Sequence, residues 1–163
     1  MKRLTLIFSG VILLAFIGLF PATALVQTAR KTYSKPIQFV PEGTTDAGSD
    51  RFPRFLADVN GDGVRDYCRV VGNPPFLSCQ LGKEDGGFRA ERYGFNSEAG
   101  IDFGNPSMEQ WMEDVNGDGR ADFCRWVGTQ RFAAALLAGE DAFASKADQY
   151  TRIKQVGSRW KVE

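Results

Sequence analysis

DVNGDGVRDYCRVVG, residues 58–72, returns 56 positions later as DVNGDGRADFCRWVG, residues 114–128. Eleven of the fifteen aligned positions are identical. The match extends without a gap. Asp46 and Gly48 fall on Asp102 and Gly104 upstream, and Phe76 and Leu81 fall on Phe132 and Leu137 downstream. One residue is then lost, after which Phe88 aligns with Phe143. Self-similarity at a fixed period is the signature of a repeat architecture. The chain therefore reads as two copies of one unit, repeat 1 over about 46–101 and repeat 2 over about 102–157.

Each unit reads as short strands. Segments 55–57 and 111–113 enter the repeated stretch, and 67–71 and 123–127 leave it, rich in aromatic and β-branched residues. Turns at 72–75 and 128–131 lead into return strands at 76–81 and 132–137. FAAALL has helical propensity, but its alignment with FLSCQL predicts a strand. A further strand is expected near 88–93, and the tail QYTRIKQVGSRWKVE alternates as a last strand.

The loop between the first two strands places oxygen donors at alternate positions. With Asp58 as position 1, Asn60 is 3, Asp62 is 5 and Asp66 is 9; Asp114, Asn116, Asp118 and Asp122 repeat the spacing. Gly63 and Gly119 at position 6 permit a sharp bend, and the carbonyls of Val64 and Arg120 at position 7 add a ligand. Such hard oxygen donors suit Ca²⁺ better than Mg²⁺, which gives two expected Ca²⁺ sites. An EF-hand needs a bidentate Glu at position 12 and a following helix. Here position 12 is Arg69 or Arg125, and strands follow, so both EF-hand and dockerin are excluded. The plainer reading, in which the Asn-Gly and Asp-Gly pairs only make turns, explains less of a donor set repeated twice.

An aromatic residue three positions ahead of D-V-N-G-D-G-x-x-D, Phe55 or Trp111, with a strand behind, resembles the FG-GAP or VCBS-type repeat of extracellular proteins. The resemblance covers about 40–150. It implies calcium held by Asp58, Asn60, Asp62 and Asp66 and by Asp114, Asn116, Asp118 and Asp122. It also implies an all-β chain of two tandem four-stranded propeller-like blades. Propellers use about four to eight blades. Two blades imply either an open stacked unit or a ring assembled from several chains.

Residues 1–24 fit a secretory signal peptide, with Lys2 and Arg3, an apolar run over 4–20 and the small-x-small site Ala22-Thr23-Ala24. An uncleaved N-terminal anchor is the alternative. Residues 25–37 read as a linker, and 38–163 as the repeat domain. Without residues 1–24, 18 basic residues face 20 acidic ones. That balance lacks the basic footprint of a nucleic-acid binder. The chain has no histidine, which removes His-dependent triads and His-ligated zinc. Glu98, Glu109 and Glu113 show no acid/base spacing, so no enzyme is expected.

An exported chain keeps its disulfides. A four-residue hairpin loop at 72–75 sets Val71 opposite Phe76 and hence Cys68 opposite Cys79, a pair able to bond. The same register sets Cys124 opposite Ala135, leaving Cys124 buried and free, joined to a second chain, or exchanged with the first pair. Trp111, Trp126, Tyr67 and Phe123 are expected in the core, with a sugar platform as the alternative. Arg69 and Arg125 are expected on the face opposite the cysteines, salt-bridged to Asp46 and Asp102. The sequence thus points to a secreted, calcium-stabilised module that binds or adheres to a carbohydrate or protein partner. The alternative is a homo-oligomeric structural subunit whose only ligand is calcium.

Overall fold

The computed structural model describes Ser34, 36–90, Arg92, 94–128 and 132–163. The expected leader, most of the expected linker, Tyr93 and the turn residues 129–131 lie outside the described residues. The fold is all-β. Among the described residues nine strands follow in order: β1 Phe55–Ala57, β2 Asp66–Val71, β3 Phe76–Gln80, β4 Phe95–Asn96, β5 Gln110–Glu113, β6 Asp122–Val127, β7 Phe132–Leu136, β8 Thr151–Val156 and β9 Arg159–Val162. Strands β1 to β4 form one antiparallel sheet and β5 to β9 a second, each in chain order.

The duplication is kept in the ladders. Phe55 pairs with Cys68 and Cys68 with Cys79 in the first sheet. Trp111 pairs with Cys124 and Cys124 with Ala135 in the second. FAAAL is the strand that the repeat requires. Cys68 and Cys79 form the disulfide. Closing a loop of 11 residues constrains the unfolded chain by about 3 kcal/mol in the chain-entropy account. Cys124 is free and buried.

Two expectations need correction. The strand expected near 88–93 is not formed by Phe88, which makes only an isolated bridge to Gly82; the fourth strand is Phe95–Asn96. Ala138 and Phe143 make the matching bridge in repeat 2. The second sheet has five strands rather than four, because the tail turns back at Gly157 and forms the hairpin β8–β9. Gly157 has a φ of 64°, which lets the chain reverse between two short strands.

The repeats pack head to tail. Side chains alternate along a strand, so each sheet has a cysteine face and an opposite face. The cysteine face of sheet 1 (Phe55, Cys68, Val70, Leu77, Cys79, Phe95) shares one core with Met112, Phe123 and Leu136, which lie on the opposite face of sheet 2. Phe123 is central, its ring 6.3 Å from Phe55 and 5.8 Å from Phe103. The cysteine face of sheet 2 (Trp111, Cys124, Ala133, Ala135) belongs to a second core with Ile153. Trp126 and Trp160 pack against it, and the Trp160 ring lies 5.1 Å from Trp111 and 5.5 Å from Trp126. The five-stranded sheet curls until β9 returns to β5: the Trp160 amide donates to Glu113 Oε1 at 3.2 Å, and the Val162 amide to the Val115 carbonyl at 3.2 Å.

The expected core aromatics are buried, with Tyr67 and Phe123 fully enclosed and Trp126 partly so. Arg69 donates from Nε to the Asp46 backbone carbonyl at 3.0 Å and from Nη1 to Ser78. Arg125 is buried, with Nη2 donating to the Gln149 carbonyl at 2.6 Å and its guanidinium over the Phe123 and Tyr150 rings. The end of the expected linker is tied down: the Ser34 amide donates to the Met112 carbonyl at 3.0 Å and the Ile37 amide to the Arg54 carbonyl at 2.8 Å. These bonds lie at β5 and just ahead of β1, the edge strands of the two sheets.

Phe123→Ala should cost about 3–5 kcal/mol, as for a fully buried aromatic, with Phe123→Leu recovering part of the loss in chemical denaturation. A loss under about 1 kcal/mol would mean that the sheets are stable without this contact.

Candidate metal centre

Both loops are wired in the same way. In loop 1, Asp58 accepts the Gly61 amide on Oδ1 at 2.7 Å and the Gly63 amide on Oδ2 at 2.8 Å. Asn60 Oδ1 accepts the Asp62 amide at 3.1 Å, and Asp62 Oδ1 accepts the Val64 amide at 2.8 Å. Asn60 Nδ2 donates to Asp62 Oδ2 at 2.9 Å. Loop 2 repeats each bond: Asp114 to the Gly117 and Gly119 amides, Asn116 to the Asp118 amide, Asp118 to the Arg120 amide, and Asn116 Nδ2 to Asp118 Oδ2. The side chains at positions 1, 3 and 5 are thereby turned onto the loop's own backbone. Position 6 needs glycine, since Gly63 and Gly119 have φ of 86° and 93°.

Position 9 does something further. Asp66 has no exposure, and it takes the Val59 amide on Oδ2 at 2.9 Å and the Gly82 amide on Oδ1 at 2.8 Å. Asp122, also fully enclosed, takes the Val115 amide at 2.9 Å and the Ala138 amide at 2.8 Å. Each carboxylate therefore pins its loop to the segment just after the third strand. Burial raises the Asp66 carboxyl to about 6; its two amide donors oppose the rise, and the charges of Asp62 and Asp58 add to it. Burial raises Asp122 to about 7, with Asp118 and Asp114 adding to it against the two amides. The carboxylates of each loop thus act on one another electrostatically.

The loops also touch. The Ala121 amide donates to the Asp58 carbonyl at 2.7 Å. A Cβ on Gly61 would stand 3.3 Å from Arg120 Cγ. Arg120, expected to offer only its carbonyl, also lays its side chain between the loops, with Nη1 3.5 Å from Asp118 Oδ2. The 56-residue period gave no hint of these contacts, because it reports likeness between units and not where they meet.

The donor set fits a hard cation by its chemistry: carboxylates, a side-chain amide and backbone carbonyls, with no thiolate or imidazole. Its arrangement is not a closed cage. Among the described residues, no three His, Cys, Asp or Glu side chains group as metal ligands. A carboxylate oxygen that accepts one amide keeps a further acceptor site, so a cation would share oxygens that already serve the loop. No protein-family model, curated protein or solved structure matches the chain. No helix among the described residues is long and apolar enough to cross a membrane.

The raised carboxyls fix the sign of a pH effect. Their ordinary value is 3.8, and the folded values are about 6 and about 7. Between these limits the folded protein keeps protons that the unfolded chain has released. Stability of the metal-free protein should therefore fall as pH rises from about 4 to about 7. Urea denaturation across that window checks this, with Asp122→Asn expected to flatten the slope. A slope of opposite sign that tracks Asp122 would overturn the reading.

Proposed function

We propose that this chain is an exported calcium-binding β-repeat module, in which calcium stabilises the fold and the module serves binding or adhesion to a carbohydrate or protein partner. The carrying observation is the fully enclosed carboxylate at position 9 of both loops, which through two amides closes a loop carrying two further carboxylates and an asparagine. A divalent cation there would offset the cost of burying that carboxylate. Asp58, Asn60, Asp62, Asp66 and the Val64 carbonyl would hold it in loop 1. Asp114, Asn116, Asp118, Asp122 and the Arg120 carbonyl would do so in loop 2. The ion would supply charge neutralisation and loop rigidity, and no catalytic step. The Cys68–Cys79 disulfide agrees with export to an oxidising compartment.

We read the two sheets as propeller-like blades. The support is their head-to-tail packing, cysteine face against opposite face, which is the contact that successive blades of one unit make. A ring built from several chains is disfavoured. The face of sheet 2 that a third unit would occupy is covered by Trp160 and Ile153 of the β8–β9 hairpin.

The first test is thermal unfolding in EDTA and then in about 10 mM Ca²⁺, with Mg²⁺ as control. A site with a dissociation constant near 10⁻⁴ M, in the range of extracellular modules, adds about 2.7 kcal/mol at a hundredfold excess. Calcium should raise the midpoint by several degrees more than magnesium, and Asp62→Ala with Asp118→Ala should abolish the difference. No calcium-specific shift in the wild type would leave the loops as turns. Light scattering should give the monomer mass with and without calcium.

A further inference from the structure

We propose that Arg120 is a tethered cation that makes the two loops unequal, so that loop 1 fills at lower calcium than loop 2. The proposal rests on the calcium reading above and names what differentiates its two sites. The loops are identical at positions 1 to 6 and at 9. They differ at position 7, where loop 1 carries Val64 and loop 2 carries Arg120, and at position 8, where loop 1 carries exposed Arg65 and loop 2 buried Ala121.

Three observations locate the arginine. Its Nη1 stands 3.5 Å from Oδ2 of Asp118, the position-5 donor of its own loop. Its stem lies over Gly61 of loop 1, which has no side chain and a φ of 79°, so the neighbouring loop forms a seat for it. The next residue, Ala121, is buried and bonded to the Asp58 carbonyl at 2.7 Å, which fixes the backbone that carries Arg120. Nε is enclosed and has no hydrogen-bond partner among the described residues. The head group is thus held near Asp118 by its stem and backbone rather than by a full set of bonds.

The consequence follows from charge. A guanidinium keeps its proton throughout the ordinary pH range. A divalent ion entering loop 2 meets a unit positive charge on one of its own donors and must displace it. An ion entering loop 1 meets a valine at position 7, and the arginine of that loop, Arg65 at position 8, is exposed to solvent. An ion pair at this degree of exposure is modest, so loop 2 should bind about two- to fivefold more weakly, the energy of such a pair expressed as an affinity ratio. The gap should narrow at high salt, where the pair is screened.

The experiment is calorimetric titration of the full chain with CaCl₂, repeated for Arg120→Val and Arg120→Gln. Gln keeps much of the stem over Gly61 and removes only the charge, so it guards against a packing defect in the Val variant. The wild type should show two unequal constants. Asp62→Ala should remove the tighter one and Asp118→Ala the weaker. Both Arg120 variants should tighten the weaker site about two- to fivefold and move the tighter one by less than that. Two equal constants in the wild type, or unchanged constants in both Arg120 variants, would overturn the proposal while leaving calcium binding intact. Absence of calcium binding in the wild type would overturn the calcium reading and this proposal with it.

Discussion

Asp66 and Asp122 sit where the chain leaves each loop and enters the long strand, and the geometry on both sides depends on their bonds. Each carboxylate takes one amide from position 2 of its loop and one from the residue that follows the third strand by two places. Loop, second strand and third strand are thus joined through one side chain. An unpaired amide at either place would carry the full cost of burial without a partner. A buried carboxylate that accepts two amides removes that cost twice and brings its own, visible as the rise in its pKa. A nearby cation would lower that second cost, so the same residue would link loop closure to the binding of a cation.

Most of the architecture was legible because the ladder is local. The duplicated loops fix where β1, β2 and β3 begin, and the four-residue hairpin fixes their register, so Cys68 opposite Cys79 followed from counting. The tail was misread for a physical reason. QYTRIKQVGSRWKVE alternates throughout, and alternation does not distinguish one long strand from two short ones. The turn is set at Gly157, where the chain folds back to lay Trp160 over Trp111. The strand expected at Phe88 failed in a similar way. Phe88 lies edge-on to the Tyr67 ring, 6.3 Å between centroids, and is held by that aromatic contact and a single bridge.

The candidate site divides along the same line. The spacing pointed to donors converging on a cation; in the fold Asn60 and Asp62 bond the amide two residues on, and Asp58 the amides three and five residues on. Position 9 also takes amides from outside positions 3 to 8, at Gly82 and Ala138, and no spacing within the loop announces that. Contacts between loops belong to the packing of sheet on sheet, which a one-dimensional period cannot carry.

The four positions at which the fifteen-residue repeats differ show what stacking demands of each copy. Position 8 is exposed Arg65 in the first copy and buried Ala121 in the second, because only the second loop has another loop packed on it there. Position 10 is Tyr67 in the first, whose hydroxyl donates to the Ala47 carbonyl at 3.3 Å, and Phe123 in the second, which is sealed in the core between the sheets. Position 13 is Val70 in the first, facing sheet 2, and Trp126 in the second, facing the hairpin. Position 7 is Val64 in the first and Arg120 in the second, whose stem lies on the neighbouring loop. A pair of units stacked head to tail has one buried junction and two unlike ends. Identity is therefore retained where both copies need the same loop and ladder, and the substitutions fall where one copy meets its neighbour and the other meets something else.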